Sequence, residues 1–317
     1  MSTGSRKGIY AAAITAIGAD REPDTHATVE NGRWLLANGC DGLAILGTTG
    51  EANSLSVEQR ERIIEAVCHD LPRERLMLGT GCCALADSVR LTRHALAAGC
   101  PHVLMLPTFY YKNQSDDAVY ASFAEVFERV GDSRLRVYLY HFPQMSATPI
   151  PLAVVDRLIA DYPETVIGLK DSSGDFENYS SVLLKNHPGF AVFPGSERFL
   201  LDALKLGAPG SISATTNVIC HLAGQVLRHW EQGSTELAEQ AQANLSRLRA
   251  VLQDFPMLVA AKQLTLQRSG NPVWGNVLPP MLPLSDEARG RLNAALEQAG
   301  FFADHPEFAP AAVQAAQ

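Results

Sequence analysis

Val166-Ile167-Gly168-Leu169-Lys170-Asp171-Ser172-Ser173-Gly174 sets the architecture of this chain. Four apolar or small residues run together without alternation, as a strand covered on both faces requires, and a lysine follows before any turn residue. The stretch therefore predicts a buried parallel strand over Val166–Lys170 that ends in an amine. Lysines are rarely sent into apolar interiors. An amine taken out of water gives up its proton more readily, and the neutral form attacks ketones, which makes Lys170 a candidate Schiff-base former. From the stretch alone a second reading stays open: a lysine at a strand end whose head reaches water or pairs with Asp171 or Asp175.

Seven more runs on either side have the same strand character: Ile9–Ala16, Gly42–Leu46, Arg75–Gly79, His102–Leu106, Arg136–His141, Phe190–Phe193 and Ser211–Ser213. Amphipathic patterns separate them at Thr25–Ala37, Val57–Asp70, Asp87–Ala98, Asp116–Val130, Leu152–Asp161, Glu177–Asn186, Glu197–Leu206 and Val218–Glu231. Ser56 with Gln59, Ser115 and Ser196 read as helix caps, and Gly39, Gly99, Gly131 and Gly207 as helix ends. Eight strand-helix units in about 225 residues predict an α/β fold of the (β/α)8 TIM-barrel type. An open doubly wound sheet competes with it, because periodicity does not show closure. Neither Gly4–Ala16 nor Thr80–Ala84 carries the glycine-rich turn of a dinucleotide site.

After Gly233 the strand signal stops. Glu236–Gln253, Met257–Arg268 and Asp286–Gln298 read as helices, with a proline-rich loop at Asn271–Pro283. The expected organisation is a flexible N-terminal tail at 1–8, a catalytic barrel at 9–232, and a C-terminal helical extension at 233–317 packed on the barrel.

With 317 residues, 46% of them hydrophobic and a formal charge of -8, the chain has a large core and no electrostatic footprint for nucleic acid. No apolar run approaches the ~20 residues of a membrane span, and Met1–Gly8 lacks the apolar centre of a signal peptide. Cys40, Cys68, Cys82, Cys83, Cys100 and Cys220 show no CxxC spacing and no nearby histidine pair. They read as reduced thiols of a cytoplasmic protein. The nine histidines form no group with carboxylates at strand ends, so no metal is expected.

In a parallel barrel, reactive groups gather where strands end. After the second strand comes Gly47-Thr48-Thr49-Gly50-Glu51, whose N–H groups and two hydroxyls suit a carboxylate, or equally an ordinary strand-to-helix turn. The fourth is followed by Phe109-Tyr110-Tyr111-Lys112. The fifth ends in Tyr138-Leu139-Tyr140-His141-Phe142-Pro143. Alternation puts Tyr138 and Tyr140 on one face, where a phenol can shuttle protons for Lys170, and His141 on the other as a structural hydrogen bonder. After the seventh and eighth strands, Gly195-Ser196-Glu197-Arg198 and Gly210-Ser211-Ile212-Ser213 place glycines where backbone approaches a ligand.

Taken in order, Gly-Thr-Thr-Gly-Glu at 47–51, Tyr140 followed by Pro143, and Gly-Leu-Lys-Asp at 168–171 resemble the dihydrodipicolinate synthase and N-acetylneuraminate lyase family. The likeness runs from Ile9 to Leu284. It implies that Lys170 forms a covalent imine with pyruvate or another 2-oxo acid and that Tyr140 relays protons. It further implies that Thr48 links this phenol to Tyr111, which in the family crosses from a neighbouring subunit. Thr48 and Thr49 would hold the substrate carboxylate, and Gly195 and Ile212 would line the pocket through backbone groups. A homotetramer built as a dimer of dimers is implied, with no metal and no organic cofactor, since the protonated imine is itself the electron sink.

Two departures bear on the substrate. The synthase of lysine biosynthesis carries an arginine five residues after the tyrosine, where Met145 stands here, and methionine makes no bidentate bond to a carboxylate. Sialic acid lyases carry an apolar residue there but two acidic residues after the glycine, where this chain has Glu197 and then Arg198. Met145, Glu197 and Arg198 are thus the candidates for the far end of the substrate. The resemblance implies a lyase that makes or breaks a C–C bond between pyruvate and an aldehyde, on a 2-keto-3-deoxy sugar acid or related 2-oxo acid. A dehydratase on such an acid and 4-hydroxy-tetrahydrodipicolinate synthase are the enzyme alternatives. A catalytically silent 2-oxo acid-binding regulator would be expected to lose Lys170, Tyr140 or the threonine pair, and the chain keeps them all.

Overall fold

The computed structural model describes residues 4–310. Its parallel strands are β1 (Gly8–Ala12), β2 (Gly42–Ile45), β3 (Leu76–Gly79), β4 (His102–Met105), β5 (Arg136–His141), β6 (Val166–Asp171), β7 (Ala191–Pro194) and β8 (Gly210–Ser213). They are hydrogen-bonded in the order β7-β6-β5-β4-β3-β2-β1-β8, and β7 packs against β8, so the sheet curls into a nearly closed TIM barrel. An open doubly wound sheet would instead reverse its strand order at a switch point.

The strands are wrapped by α1 (Thr25–Ala37), α2 (Val57–Asp70), α3 (Leu85–Ala97), α4 (Asp116–Val130), α5 (Pro143–Ser146), α6 (Leu152–Asp161), α7 (Ser181–Asn186), α8 (Leu200–Lys205) and α9 (Thr216–Glu231). A C-terminal helical extension follows: α10 (Thr235–Gln253), α11 (Met257–Ser269), α12 (Asp286–Gln298) and α13 (Phe301–Asp304). Alternate strand residues divide two cores. Tyr10, Met77, Leu104, Tyr138, Phe193 and Ile212 fill the barrel, while Leu43, Leu78, Val103, Leu139, Leu169 and Val192 face the surrounding helices. A third cluster joins Ile9 and Ile14 to Leu245, Leu248 and Leu252 of α10 and to Phe301, Phe302 and Phe308.

One irregularity positions the reactive end of β6. The register between β5 and β6 shifts at Val137/Tyr138, so Ile167 has no partner, and beyond it Gly168 pairs with Tyr138 and Lys170 with Tyr140. Such a bulge re-aims the side chains that follow. Gly168 is needed beside it: a Cβ there would lie 2.5 Å from the Tyr138 ring and 2.5 Å from the Ala191 carbonyl oxygen.

Some expected boundaries move. The first strand ends at Ala12, because Ala13–Ala16 stay buried but Ile14 and Ala16 donate to the side chains of Asn217 and Thr28. The helix expected at Glu177–Asn186 opens with a wide turn at Phe176–Ser180 before α7. Ser56 with Gln59 and Ser115 cap their helices, but Ser196 makes no capping bond, since a short 3-10 turn, Glu197–Phe199, follows it.

Residues 1–3 of the expected tail and the alanine-rich end after Pro310 lie outside the described residues. At the opposite mouth from the site, the Arg6 N–H donates to the Tyr138 hydroxyl (2.8 Å) and its guanidinium to the Arg73 carbonyl (3.1 Å). Among the described residues no helix is long and apolar enough to cross a membrane, and no His/Cys/Asp/Glu group could hold a metal ion.

Candidate active site

Lys170 is 3% exposed, and its Nζ lies 4.3 Å from the centroid of the Tyr140 ring on the neighbouring strand. Among the described residues no carboxylate pairs with it. Asp171 points to the other face of β6, where its carboxylate accepts the Ser173 N–H (2.8 Å) and the Ser180 hydroxyl (2.7 Å). The alternative of a Lys170–Asp171 pair is thereby closed. His141, facing the same way as Asp171, accepts the Ile150 N–H on Nδ1 (3.1 Å) and stacks on Tyr179 with centroids 3.9 Å apart. Burial pushes its pKa down, and it holds structure, as its place in the alternation predicts.

The Tyr140 hydroxyl lies 3.4 Å from Thr48 Oγ1. Among the described residues the N–H groups of Thr48 and Thr49 are engaged by no backbone carbonyl. Their loop is nevertheless fixed: Gly50 and Glu51 donate to the carbonyls of Gly47 (3.0 Å) and Thr48 (3.1 Å), and the Thr15 hydroxyl donates to the Gly50 carbonyl (2.8 Å). Glu51 then turns down, with φ of 57°, into a fully buried ion pair with Lys262 of α11. The Leu278 N–H donates to its second oxygen (2.7 Å), and Lys262 donates to the Asn276 carbonyl (2.8 Å). Burial pushes the Lys262 pKa down while Glu51 opposes the fall. Unengaged N–H groups on a braced backbone suit an incoming carboxylate.

A cavity of about 510 Å³ opens over Lys170 at the C-terminal ends of the strands. Thr48, Thr49, Tyr140, Met145, Lys170, Gly195 and Arg198 all stand on its wall. Gly195 has to be glycine: its N–H donates to the Asp171 carbonyl (2.6 Å), and a Cβ would lie 2.9 Å from that oxygen and 2.2 Å from Ser172 Oγ.

The other expected residues sit elsewhere. Ile212 is packed inside the barrel with Tyr10 and Phe193, off the cavity wall. Glu197 is fully buried off the wall, where it accepts Arg249 of α10 and the Thr215 hydroxyl. Tyr111 is 75% exposed, edge-on to Tyr110 with centroids 5.3 Å apart, and does not reach Thr48 of its own chain.

Sequence reasoning missed the contribution of the extension: Arg249, Gln253, Met257, Leu258 and Met281 all line the cavity. It also missed three aromatic side chains, Phe142, Phe176 and Phe199. For Arg249 the one usable signal is the isolated acid Glu197, which after its burial needs a cation.

The sequence model of the dihydrodipicolinate synthetase family matches residues 5–299. The chain belongs to this family. It is similar to an uncharacterized DapA-like lyase of Chloroflexus aurantiacus, with 35% identity over 92% of this chain and 96% of that one. YagE of Escherichia coli K12, provisionally named a 2-dehydro-3-deoxy-D-gluconate aldolase, is 31% identical over 90% of this chain and 93% of its own. The solved structure of YagE in complex with pyruvate superposes with a TM-score of 0.84 over 94% of this chain and 100% of that one, at 26% identity. A dihydrodipicolinate synthase structure from Agrobacterium tumefaciens, 29% identical, covers 93% of this chain and 99% of its own with a TM-score of 0.83. The dihydrodipicolinate synthetase family comprises pyruvate-dependent lyases, aldolases and synthases, and this member is a lyase.

Proposed function

We propose that the protein is a Schiff-base lyase that cleaves, or in reverse forms, the bond between pyruvate and an aldehyde. The observation that carries this is a buried amine that has no carboxylate partner among the described residues and faces a phenol within reach of Thr48. The Lys170 amine adds to the C2 ketone of a 2-oxo-4-hydroxy acid and water leaves, giving a protonated imine. The C4 hydroxyl gives its proton to the Tyr140–Thr48 relay, the C3–C4 bond breaks, and its electron pair moves to C3 as an enamine while C4 departs as an aldehyde. The relay returns a proton to C3, and water releases pyruvate and the free amine. Thr48 and Thr49 hold the C1 carboxylate throughout.

The 2-keto-3-deoxy sugar acids expected from the resemblance share this reacting end, and the provisional name of the E. coli relative supports that class. Met145 on the cavity wall supplies no bidentate donor, which speaks against 4-hydroxy-tetrahydrodipicolinate synthase. A dehydratase would use the same imine but break a C–O bond, so release of pyruvate and aldehyde separates the two. The working unit is taken as a cytoplasmic homotetramer in which the exposed Tyr111 reaches a neighbour's Thr48.

Borohydride added with pyruvate tests the reading. A reduced adduct on the peptide containing Lys170 is the expected outcome; an adduct on another lysine, or none, overturns it.

A further inference from the structure

Away from the reacting end, the cavity wall carries polar groups that the mechanism does not use. Ser172, Ser196, Arg198 and Gln253 stand on it, and among the described residues none of their side chains has a hydrogen-bond or ion-pair partner. Three of them are neutral, and Arg198 is a cation. The neighbouring charges decide what it can receive. Asp171 accepts from Ser173 and Ser180, and Glu197 is buried against Arg249 and Thr215. Arg249 also reaches the wall, but Glu197 matches its charge. On this side of the cavity, therefore, Arg198 alone among the described residues carries an unmatched charge.

Arg198 is steadied by rings instead of by an acid. Its guanidinium lies over the Phe199 ring, 4.6 Å from the centroid, and Phe199 stacks nearly parallel on Phe176 with centroids 5.3 Å apart. An aromatic face supports a guanidinium while leaving its N–H edge free, and that planar fork matches a carboxylate. Charge-assisted pairs of this kind are roughly twice as strong as the bonds a neutral hydroxyl makes. A phosphate dianion would call for a second cation, and Arg249 is already matched. An amine-bearing tail would call for an acid, and Asp171 and Glu197 are both engaged. The hydroxyls of Ser172 and Ser196 and the amide of Gln253 donate and accept, which suits hydroxyl groups on the carbons in between.

We propose that Arg198 selects a substrate with a carboxylate at its far end, so the compound cleaved is a hydroxylated 2-keto-3-deoxy sugar diacid. This deepens the imine reading of Lys170 and rests on it. The C3–C4 bond breaks as before, and the departing aldehyde carries the second carboxylate.

The test compares three substrates that differ only at C6: 2-keto-3-deoxy-D-glucarate with a carboxylate, 2-keto-3-deoxy-D-gluconate with a hydroxyl, and the 6-phosphate of the latter. Pyruvate release is followed for each, with the borohydride trap on pyruvate run alongside. The expected kcat/KM for the glucarate is about 10- to 100-fold above that for the gluconate, the scale of one hydrogen bond to a charged group, and also exceeds that for the phosphate. Arg198→Gln should raise KM for the glucarate by about that factor while KM for the gluconate stays within about threefold. Arg198→Lys should recover part of the loss, since it restores the charge but not the fork. A trap that labels Lys170 together with a preference for the gluconate or the phosphate overturns the diacid and leaves the imine standing. An Arg198→Gln effect equal on all three substrates does the same, because it marks a structural role. No label on Lys170 overturns both readings.

Discussion

Among the described residues two lysines are buried, Lys170 at 3% exposure and Lys262 at 1%, and they do opposite things. Lys262 meets a carboxylate, Glu51, and a backbone carbonyl, so its charge is matched on the spot. Lys170 meets a phenol face and a cavity. What separates a nucleophile from a brace is therefore not depth but company: Lys262 is tied to a carboxylate and a carbonyl, while Lys170 has an aromatic neighbour beside an open chamber that a ketone can enter. The two are connected, since the residue that pairs with Lys262 ends the very loop that carries Thr48 and Thr49.

The sharpest way to break this contrast is to remove the unpaired amine. Lys170→Ala is expected to abolish pyruvate release in a coupled assay while the thermal transition stays cooperative; turnover that persists would mean the nucleophile lies elsewhere. Tyr140→Phe should lower kcat by ~10²–10⁴-fold, the usual cost of losing a proton-transfer group, with the Lys170 adduct still forming under borohydride. Retained activity would remove the phenol from the relay.

For the other lysine the readout is stability. Lys262→Met leaves Glu51 as an uncompensated buried charge and should cost about 3–5 kcal/mol in urea unfolding, and pyruvate trapping should stay on Lys170. Adding Glu51→Gln, which keeps an acceptor for the Leu278 N–H, should recover much of that loss. No recovery would show that the pair is not what binds loop to helix.

The effect that is smallest over any one pH unit lies at the barrel floor. Burial pushes His102 down to about 3, with Arg6 and Arg136 adding to the fall. Between pH 6.5 and that value the unfolded chain takes up a proton that the folded chain refuses. Stability should therefore fall with acidification by about 1.4 kcal/mol per pH unit in that window. His102→Gln should flatten this limb in a Tm-against-pH series, separating it from any contribution of the Glu51–Lys262 pair.

The barrel was legible because parallel strands covered on both faces write contiguous apolar runs, and eight such runs alternating with amphipathic helices leave few architectures. Lys170, Tyr140 and the threonine pair were legible because polar residues at the ends of such runs have no packing role to explain them. Boundaries were less so: Ala13–Ala16 is as apolar and as buried as a strand, and only its hydrogen-bond partners show otherwise. The wall contributed by α10 and α11 left almost no trace. Arg249 and Met257 sit in ordinary amphipathic text, and their importance comes from contacts distant in sequence, as between Arg249 and Glu197 across 52 residues of chain. Glu197 was read as a ligand for the same reason: a lone acid looks alike whether it faces substrate or a hidden guanidinium.

The two buried pairs that cross from barrel to extension, Glu51 with Lys262 and Glu197 with Arg249, have a bearing on protein engineering. Chimaeras that join a barrel from one relative to the tail of another at Gly233 would split both pairs. Unless the donor and recipient match at all four positions, each hybrid would inherit a stranded charge within or just behind its substrate chamber. The productive crossover points lie instead within loops that leave these partners on the same parent.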